Sequence, residues 1–464
     1  MRRPGAREGR GHARGERGAG LAARAIALGI LVDVERRSAF ADVLLGARLP
    51  ALAPADRRLA TRLVLGTLAW RSPLDFEIEH LARRRIADIE VVALQILRLG
   101  LFQLRYLDRI PRHAAVDTSV ELAKHNPASR DAAGFINAVL RRAARESVPV
   151  AAPDADEMER LAIAASHPRW LVERFVEWFG RDGAERVMAA NNDAAPNAIR
   201  LNLRRGSRAE LIERLRADGF EIGSEGRAPE TILLSSAPRF DSESYRAGLF
   251  HPQSEASQMV ARMLAPRPGA TVIDCAAAPG GKTTHLAELV GERGRVIAID
   301  INFTGLKNAR ALARRLRHRN IDFVRADIAT SAPPLKPARF EFVLLDAPCT
   351  GIGTLREHPE IKWRLGPNDF TRMAALQARL LANAATLVRP GGVLVYSVCS
   401  FAPEEGAMVI GDFLAAHPQF RIDRQPPNFA ELAGVIDADG FMRTRPDQGA
   451  LDGFFSARLV RESD

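Results

Sequence analysis

From about Ser242 onward the chain alternates short apolar runs with helical stretches, and each run ends at or next to an acid or two residues before a cysteine. The runs are Ala270 to Asp274, Val296 to Asp300, Asp322 to Ala326, Phe340 to Asp346 and Gly392 to Ser397. A strand–helix series of this kind predicts a doubly wound parallel sheet with helices on both faces. Such a sheet binds its ligands outside the carboxyl ends of its strands, so the residues that follow each run carry the functional information.

The first run leads into Cys275-Ala276-Ala277-Ala278-Pro279-Gly280-Gly281-Lys282-Thr283-Thr284, which opens a helix. Small residues let the backbone come close to a ligand, and the helix start offers free N–H groups. Three readings compete. A Walker A phosphate loop needs a glycine where Ala276 stands, and a dinucleotide Gly-x-Gly-x-x-Gly is absent. The third reading is the S-adenosylmethionine loop of a class I methyltransferase. Asp300 closes the next strand, where an acid accepts ribose hydroxyls in nucleoside-binding folds. Asp327 closes the third strand, placed to reach an adenine edge. Each acid by itself reads equally well as a helix cap; the succession of strand ends favours the cofactor.

The fourth run gives Asp346-Ala347-Pro348-Cys349, and the fifth gives Ser397-Val398-Cys399-Ser400, then Pro403-Glu404-Glu405. Parallel strands bring both cysteines to the edge that carries the cofactor loop. Methylation of cytosine at C5 needs such groups, because C5 is a poor nucleophile until a thiolate has added to C6. That is covalent catalysis, and a free thiol near pKa 8.5 must be activated for it. Asp346, if it carries or shares a proton, can hydrogen-bond cytosine N3 and stabilise charge there. An isolated cysteine reads as a small buried hydrophobe. Two at neighbouring strand ends, one within Asp-Ala-Pro-Cys, do not.

The remainder of the 464 residues divides into several parts. Residues 1–19 are rich in Gly and Arg without apolar periodicity and are expected to be disordered. Residues 20–146 read as helical: Leu94, Leu97, Leu101 and Leu104 share one helix face, and Leu59, Leu63, Gly66 and Trp70 share another. Residues 147–159 look like a linker, and 160–240 like a small α+β unit. In that unit Arg200, Arg204, Arg205 and Arg208 cluster as an RNA-facing surface would, or as a solvated charged face. Residues 241–464 form the sheet domain.

A net charge of +10 fits a polyanionic partner, and equally an Arg-biased composition, since lysine occurs only at Lys124, Lys282, Lys307, Lys336 and Lys362. Val91 to Tyr106 is too short and too charged for a membrane span. No apolar stretch follows the N-terminal arginines, so a secretory leader is not expected and the cytoplasm is the expected location. Three cysteines and scattered histidines predict neither a disulfide framework nor a metal cluster.

The run Ala276 to Lys282, Asp346-Ala-Pro-Cys349, Arg356-Glu-His358-Pro359-Glu360-Ile-Lys362-Trp363 and Ser397-Val-Cys399-Ser400 resemble the RNA 5-methylcytosine methyltransferases. The helical front half, ending in Gly134 to Arg142, resembles a NusB-like RNA-binding domain, although a generic helical bundle has the same pattern. Together they resemble the Sun/RsmB family of 16S rRNA (cytosine-C5)-methyltransferases. The fold implied is an all-α NusB-like bundle, a small α+β RNA-binding domain and an α/β Rossmann-like class I methyltransferase domain. The resemblance implies that Cys399 attacks C6, that Cys349 assists breakdown of the adduct, and that Ala276, Ala277, Ala278, Pro279, Gly280, Gly281, Lys282, Asp300, Asp327 and Asp346 contact S-adenosylmethionine. It implies 16S rRNA as the partner, naked or in an early small-subunit particle, with no DNA and a monomeric protein. Two positions depart from the pattern: Gly305 stands where an Arg is common, and Gly406 where Asn is usual. Asp452-Gly453-Phe454-Phe455 fits the family's last strand pair, or an ordinary buried Phe pair. The same chemistry on tRNA, and a non-catalytic RNA-binding factor, are the competing functions.

Overall fold

The computed structural model describes residues 12–330, 335–449 and 451–463, with the side chains of 12–19 left aside. The chain forms two compact units. The first comprises Met1–Ala194 and Leu355–Arg364, the second Ala195–Thr354 and Leu365–Asp464.

The first unit is helical. Its central helix, Val91–Tyr106, starts at Glu90, whose carboxylate accepts the Val92 and Ala93 N–H groups. This helix is buried from Val92 to Gln103, on every face rather than along the one stripe that Leu94, Leu97 and Leu101 predict. Gly66, on helix Pro54–Ala69, lets that helix come close: a Cβ there would lie 1.9 Å from the Phe102 ring. Arg98, fully buried, is held by a bidentate pair to Asp75 at 2.6 and 2.8 Å. The charges that argued against a membrane span are thus paired inside a core helix. Among the described residues no helix is long and apolar enough to cross a membrane.

Helix His12–Arg37 begins inside the stretch 1–19 that was expected to be disordered. A helix nucleated over the apolar residues from Leu21 propagates at the gain of one hydrogen bond per residue, and the lead-in needs no apolar face of its own. Residues 1–11 lie outside the described residues.

Leu355–Arg364, distant in sequence, completes this unit. Lys362 is fully buried and its ammonium donates to the Ala69 carbonyl at 2.9 Å and Asn192 Oδ1 at 2.7 Å. The Trp363 indole N–H donates to Leu68 O at 2.7 Å, Arg356 Nε to Ala190 O at 3.0 Å, and Glu360 accepts the Ala41 N–H at 2.9 Å. The residues of the Arg-x-His-Pro-Glu-x-Lys-Trp run are therefore structural ties among helices.

The second unit holds two sheets. Strands β1 (Asn197–Leu201), β2 (Ile222–Glu225), β3 (Thr231–Leu234) and β4 (Phe250–Pro252) form an antiparallel sheet in the order β2-β3-β1-β4. Helix Arg208–Ala217 opens on a capping box between Ser207 and Glu210. β4 lies beyond residue 240, where the sequence pattern placed the domain end; three residues are too few to show alternation.

The larger sheet contains β5 (Thr271–Asp274), β6 (Arg295–Asp300), β7 (Ile321–Arg325), β8 (Phe340–Asp346), β9 (Val388–Val398), β10 (Phe420–Ile422), β11 (Phe441–Thr444) and β12 (Phe454–Arg461). Its order is β10-β12-β9-β8-β5-β6-β7, with β11 on β12. β5 to β9 are parallel and β12 runs antiparallel to β9. The direction of winding reverses at β5, between β6 and β8. The crevice at that switch is where an open α/β sheet holds its ligand.

Arg200 corrects one expectation. It is 1% exposed, and its guanidinium pairs with the Glu288 carboxylate at 3.1 and 3.0 Å, with Thr284 Oγ1 at 2.9 Å and with Gly281 O at 2.8 Å. The side chains of Arg204 and Arg208 face Glu292 and Glu225 at 2.9 and 2.8 Å. Arginine spacing in sequence showed the cluster but not the acids that pair with Arg200, Arg204 and Arg208.

Candidate active site

The cofactor loop hangs between β5 and β6. The Cys275 N–H donates to Leu344 O at 2.8 Å, the Ala277 N–H to Ile299 O at 3.0 Å and the Ala278 N–H to Asp300 Oδ2 at 2.9 Å. Gly280 turns the chain at φ +106°, and a Cβ there would lie 2.7 Å from that of Ala309. Helix Gly281–Val290 starts immediately after. Gly305 has its reason here: a Cβ at 305 would sit 2.5 Å from that of Ala278, so a larger residue would push into the loop.

Asp300 also accepts the Asn302 N–H at 2.7 Å. β7 ends at Arg325, so Asp327 lies two residues beyond the strand rather than closing it, and its carboxylate accepts the Ala329 N–H at 2.9 Å. An Asx turn of this kind favours Asp just outside a strand. These acids, with a close-packed loop between them, fit a ligand carrying ribose hydroxyls and positive charge. Residues 276–282, Asp300 and Asp327 are the ones that would hold S-adenosylmethionine.

Asp274 lies beneath the loop, 1% exposed, with Oδ2 accepting from the Thr283 hydroxyl at 2.6 Å and Oδ1 without a partner. Burial pushes its pKa up to about 7; the Thr283 bond and Lys282 oppose this, while Asp346 and Asp300 add to it. The folded state therefore binds this proton more tightly than the unfolded chain. Stability from this group falls as pH rises from about 4 to about 7, by an amount on the order of 4 kcal/mol. Asp274→Asn removes the effect. Its melting temperature relative to the parent is expected to rise across that window, and a constant difference would contradict the assignment.

The reactive end is built on β8 and β9. Cys349 Sγ and Cys399 Sγ lie 3.1 Å apart, both partly exposed, just beyond the two strands. Cys275 is fully buried in the sheet core, and burial raises its thiol pKa. The Lys282 ammonium, largely buried, lies 2.8 Å from Asp346 Oδ2 and 5.2 Å from the Phe454 ring centre. Burial works against its charge, but Asp346, Cys399 and Asp274 outweigh it and hold its pKa above the ordinary lysine value. Lys282 was expected in the cofactor loop; its head group pairs with Asp346 of the Asp-Ala-Pro-Cys run.

Glu405 is the residue that sequence reasoning left without a role. Its side chain is fully buried, and its carboxylate accepts the Thr350 N–H at 2.8 Å, the Ser400 hydroxyl at 2.6 Å and Gln377 Nε2 at 3.1 Å. The Pro-Glu-Glu run was visible in the sequence, but nothing in it showed which acid turns inward. Gly406 meets the Phe455 ring, where a Cβ would come within 2.9 Å. Gly353 donates to Cys399 O at 3.0 Å and accepts the Gly453 N–H at 2.8 Å, so Asp452 to Phe455 back the cysteine loops directly.

The profile described as 16S rRNA methyltransferase RsmB/F matches residues 261–460. The NusB family profile matches 21–145, and an RsmF/B-like ferredoxin-like domain profile matches 167–241. The probable ribosomal RNA small subunit methyltransferase B of Bacillus subtilis is 33% identical over 95% of this chain and 98% of its own length. The chain belongs to the ribosomal RNA small subunit methyltransferase B family. The Pseudomonas putida member is 34% identical over 90% of this chain and 93% of its own. The crystal structure of PH0851 superimposes with a TM-score of 0.80 at 27% identity, over 96% of this chain and 98% of that one. Membership makes the chain an S-adenosylmethionine-dependent methyltransferase with a NusB domain, a ferredoxin-like domain and a mixed α/β methyltransferase domain.

Proposed function

We propose that the protein methylates C5 of a cytosine in 16S rRNA through a covalent bond between Cys399 Sγ and C6. One observation carries the reading: two thiol sulfurs 3.1 Å apart at neighbouring strand ends, one of them three residues after the Asp346 carboxylate that pairs with the partly buried Lys282 ammonium. The names of the relatives support the choice of small-subunit rRNA over tRNA. The RNA is taken as naked or as part of an early small-subunit particle, by a monomer in the cytoplasm. In this reading the helical domain and the small α+β domain bind RNA, and the methyltransferase domain carries the chemistry.

Cys399, as thiolate, adds to C6, and the displaced π electrons run through C5 toward N3. Lys282 and Asp346 are the groups to stabilise charge there. S-adenosylmethionine, held by residues 276–282 with Asp300 and Asp327, would supply C5 with an electrophilic methyl group on a sulfonium sulfur. Cys399 is then a neutral thioether, and Cys349 has lost the hydrogen bond that most strongly held its proton. Cys349 releases that proton to solvent and takes the C5 proton, while the C6–Sγ bond breaks and returns the electron pair to Cys399.

The test is transfer from methyl-labelled S-adenosylmethionine to 16S RNA and to tRNA, with the labelled nucleoside identified by mass spectrometry. 5-Methylcytidine from 16S RNA is the expected product. Label in another nucleoside, or in tRNA alone, contradicts the reading.

A further inference from the structure

Two chemically identical thiols in contact cannot both be the nucleophile, and the protein must decide between them. Their surroundings differ in charge. The Lys282 ammonium, paired with Asp346 at 2.8 Å, is raised in pKa by negative charge at Cys399, on the β9 side. The Glu405 carboxylate lies on the Cys349 side, bonded to both the N–H and the hydroxyl of Thr350, the next residue. Its remaining partners are Ser400, next to Cys399, and Gln377, which also donates to Pro348 O at 3.0 Å. These donors are neutral, so they solvate the carboxylate without cancelling its field.

We propose that Glu405 is a positioning residue that makes the two cysteines unequal: its buried carboxylate clamps both cysteine loops and keeps the shared thiol proton on Cys349, which leaves Cys399 as the nucleophile. The inference rests on the covalent reading above and acts through Cys349. The titration of Cys349 agrees with the geometry. Its pKa stands well above the ordinary thiol value, raised first by the hydrogen bond with Cys399, then by burial and by negative charge at Cys399 and Glu405. Formation of the C6 adduct removes the Cys399 contributions and leaves that of Glu405.

The test needs neither RNA nor S-adenosylmethionine, so its failure is separate from failure of the methylation reading. The full-length protein is treated with limiting iodoacetamide from pH 6 to 10, and each cysteine is scored by peptide mass spectrometry. In the parent protein Cys399 is expected to react ahead of Cys349 near pH 7.5. Glu405→Gln keeps the shape and removes the charge; it is expected to raise the Cys349 rate relative to that of Cys399. Thr350→Val removes one hydrogen bond and keeps the charge, and is expected to leave the ratio of the two rates unchanged. An unchanged ratio in Glu405→Gln, or an equal shift in Thr350→Val, overturns the proposal. Should Glu405→Gln not fold, the order of reaction in the parent protein decides: Cys349 reacting ahead of Cys399 near pH 7.5 overturns the proposal.

Discussion

Cys399→Ala is expected to abolish both methyl transfer and the covalent protein–RNA complex, whereas Cys349→Ala is expected to accumulate that complex on denaturing gels. The two sulfurs are close enough that either could be imagined attacking C6. Their roles part because only one of them ends up bonded to the base. Without Cys399 the first bond cannot form, and the rate falls by more than about a thousandfold, the scale on which loss of a covalent nucleophile acts. Without Cys349 the first bond forms and the methyl is transferred, but the C5 proton has no neighbouring acceptor and the enzyme stays attached to its product. Normal turnover in Cys349→Ala, or adduct in Cys399→Ala, would reverse the assignment.

The second large effect lies away from the chemistry. Arg200→Met leaves the Glu288 carboxylate buried, with His318 Nε2 at 3.1 Å as its other partner. Loss of one member of a buried ion pair destabilises by about 3–5 kcal/mol, because the remaining charge stays out of water. The loss also removes one of two donors to the Gly281 carbonyl, at the start of the helix that follows the cofactor loop, and leaves the Thr284 hydroxyl at 3.0 Å. Lower thermal stability and weaker S-adenosylmethionine binding are therefore expected together. Arg200→Met combined with Glu288→Leu removes both charges and is expected to recover most of the stability. Melting of the two variants checks this; equal melting of parent and Arg200→Met would contradict it.

These two cases show what the sequence could and could not convey. The parallel sheet was legible because apolar runs fully buried between helices leave a periodic trace, and Phe340–Asp346 matches its predicted span. The placement of Cys349 and Cys399 on one edge followed from strand direction. Charged side chains were less legible. Arg200 looked like part of a surface patch because its partner, Glu288, is far away in the chain and on another element. Glu405 and Lys282 were seen as members of motifs, yet their work is set by which neighbour they meet in the fold. The run from Arg356 to Trp363 pointed to the family, but its contacts with the Ala69 and Ala190 carbonyls exist only after the chain has crossed into the helical unit. The short strands β2, β4, β10 and β11 were missed because three or four residues do not establish a period.

The central claim is that this protein places a methyl group on cytosine C5 in 16S rRNA by way of Cys399. Bisulfite sequencing of ribosomal RNA tests it most directly, in a strain lacking the gene and complemented with either the parent protein or Cys399→Ala. The account predicts one protected cytosine in 16S RNA that is present with the parent and absent with both the deletion and Cys399→Ala. A 16S map that is unchanged by the deletion, or protection restored by Cys399→Ala, would contradict it.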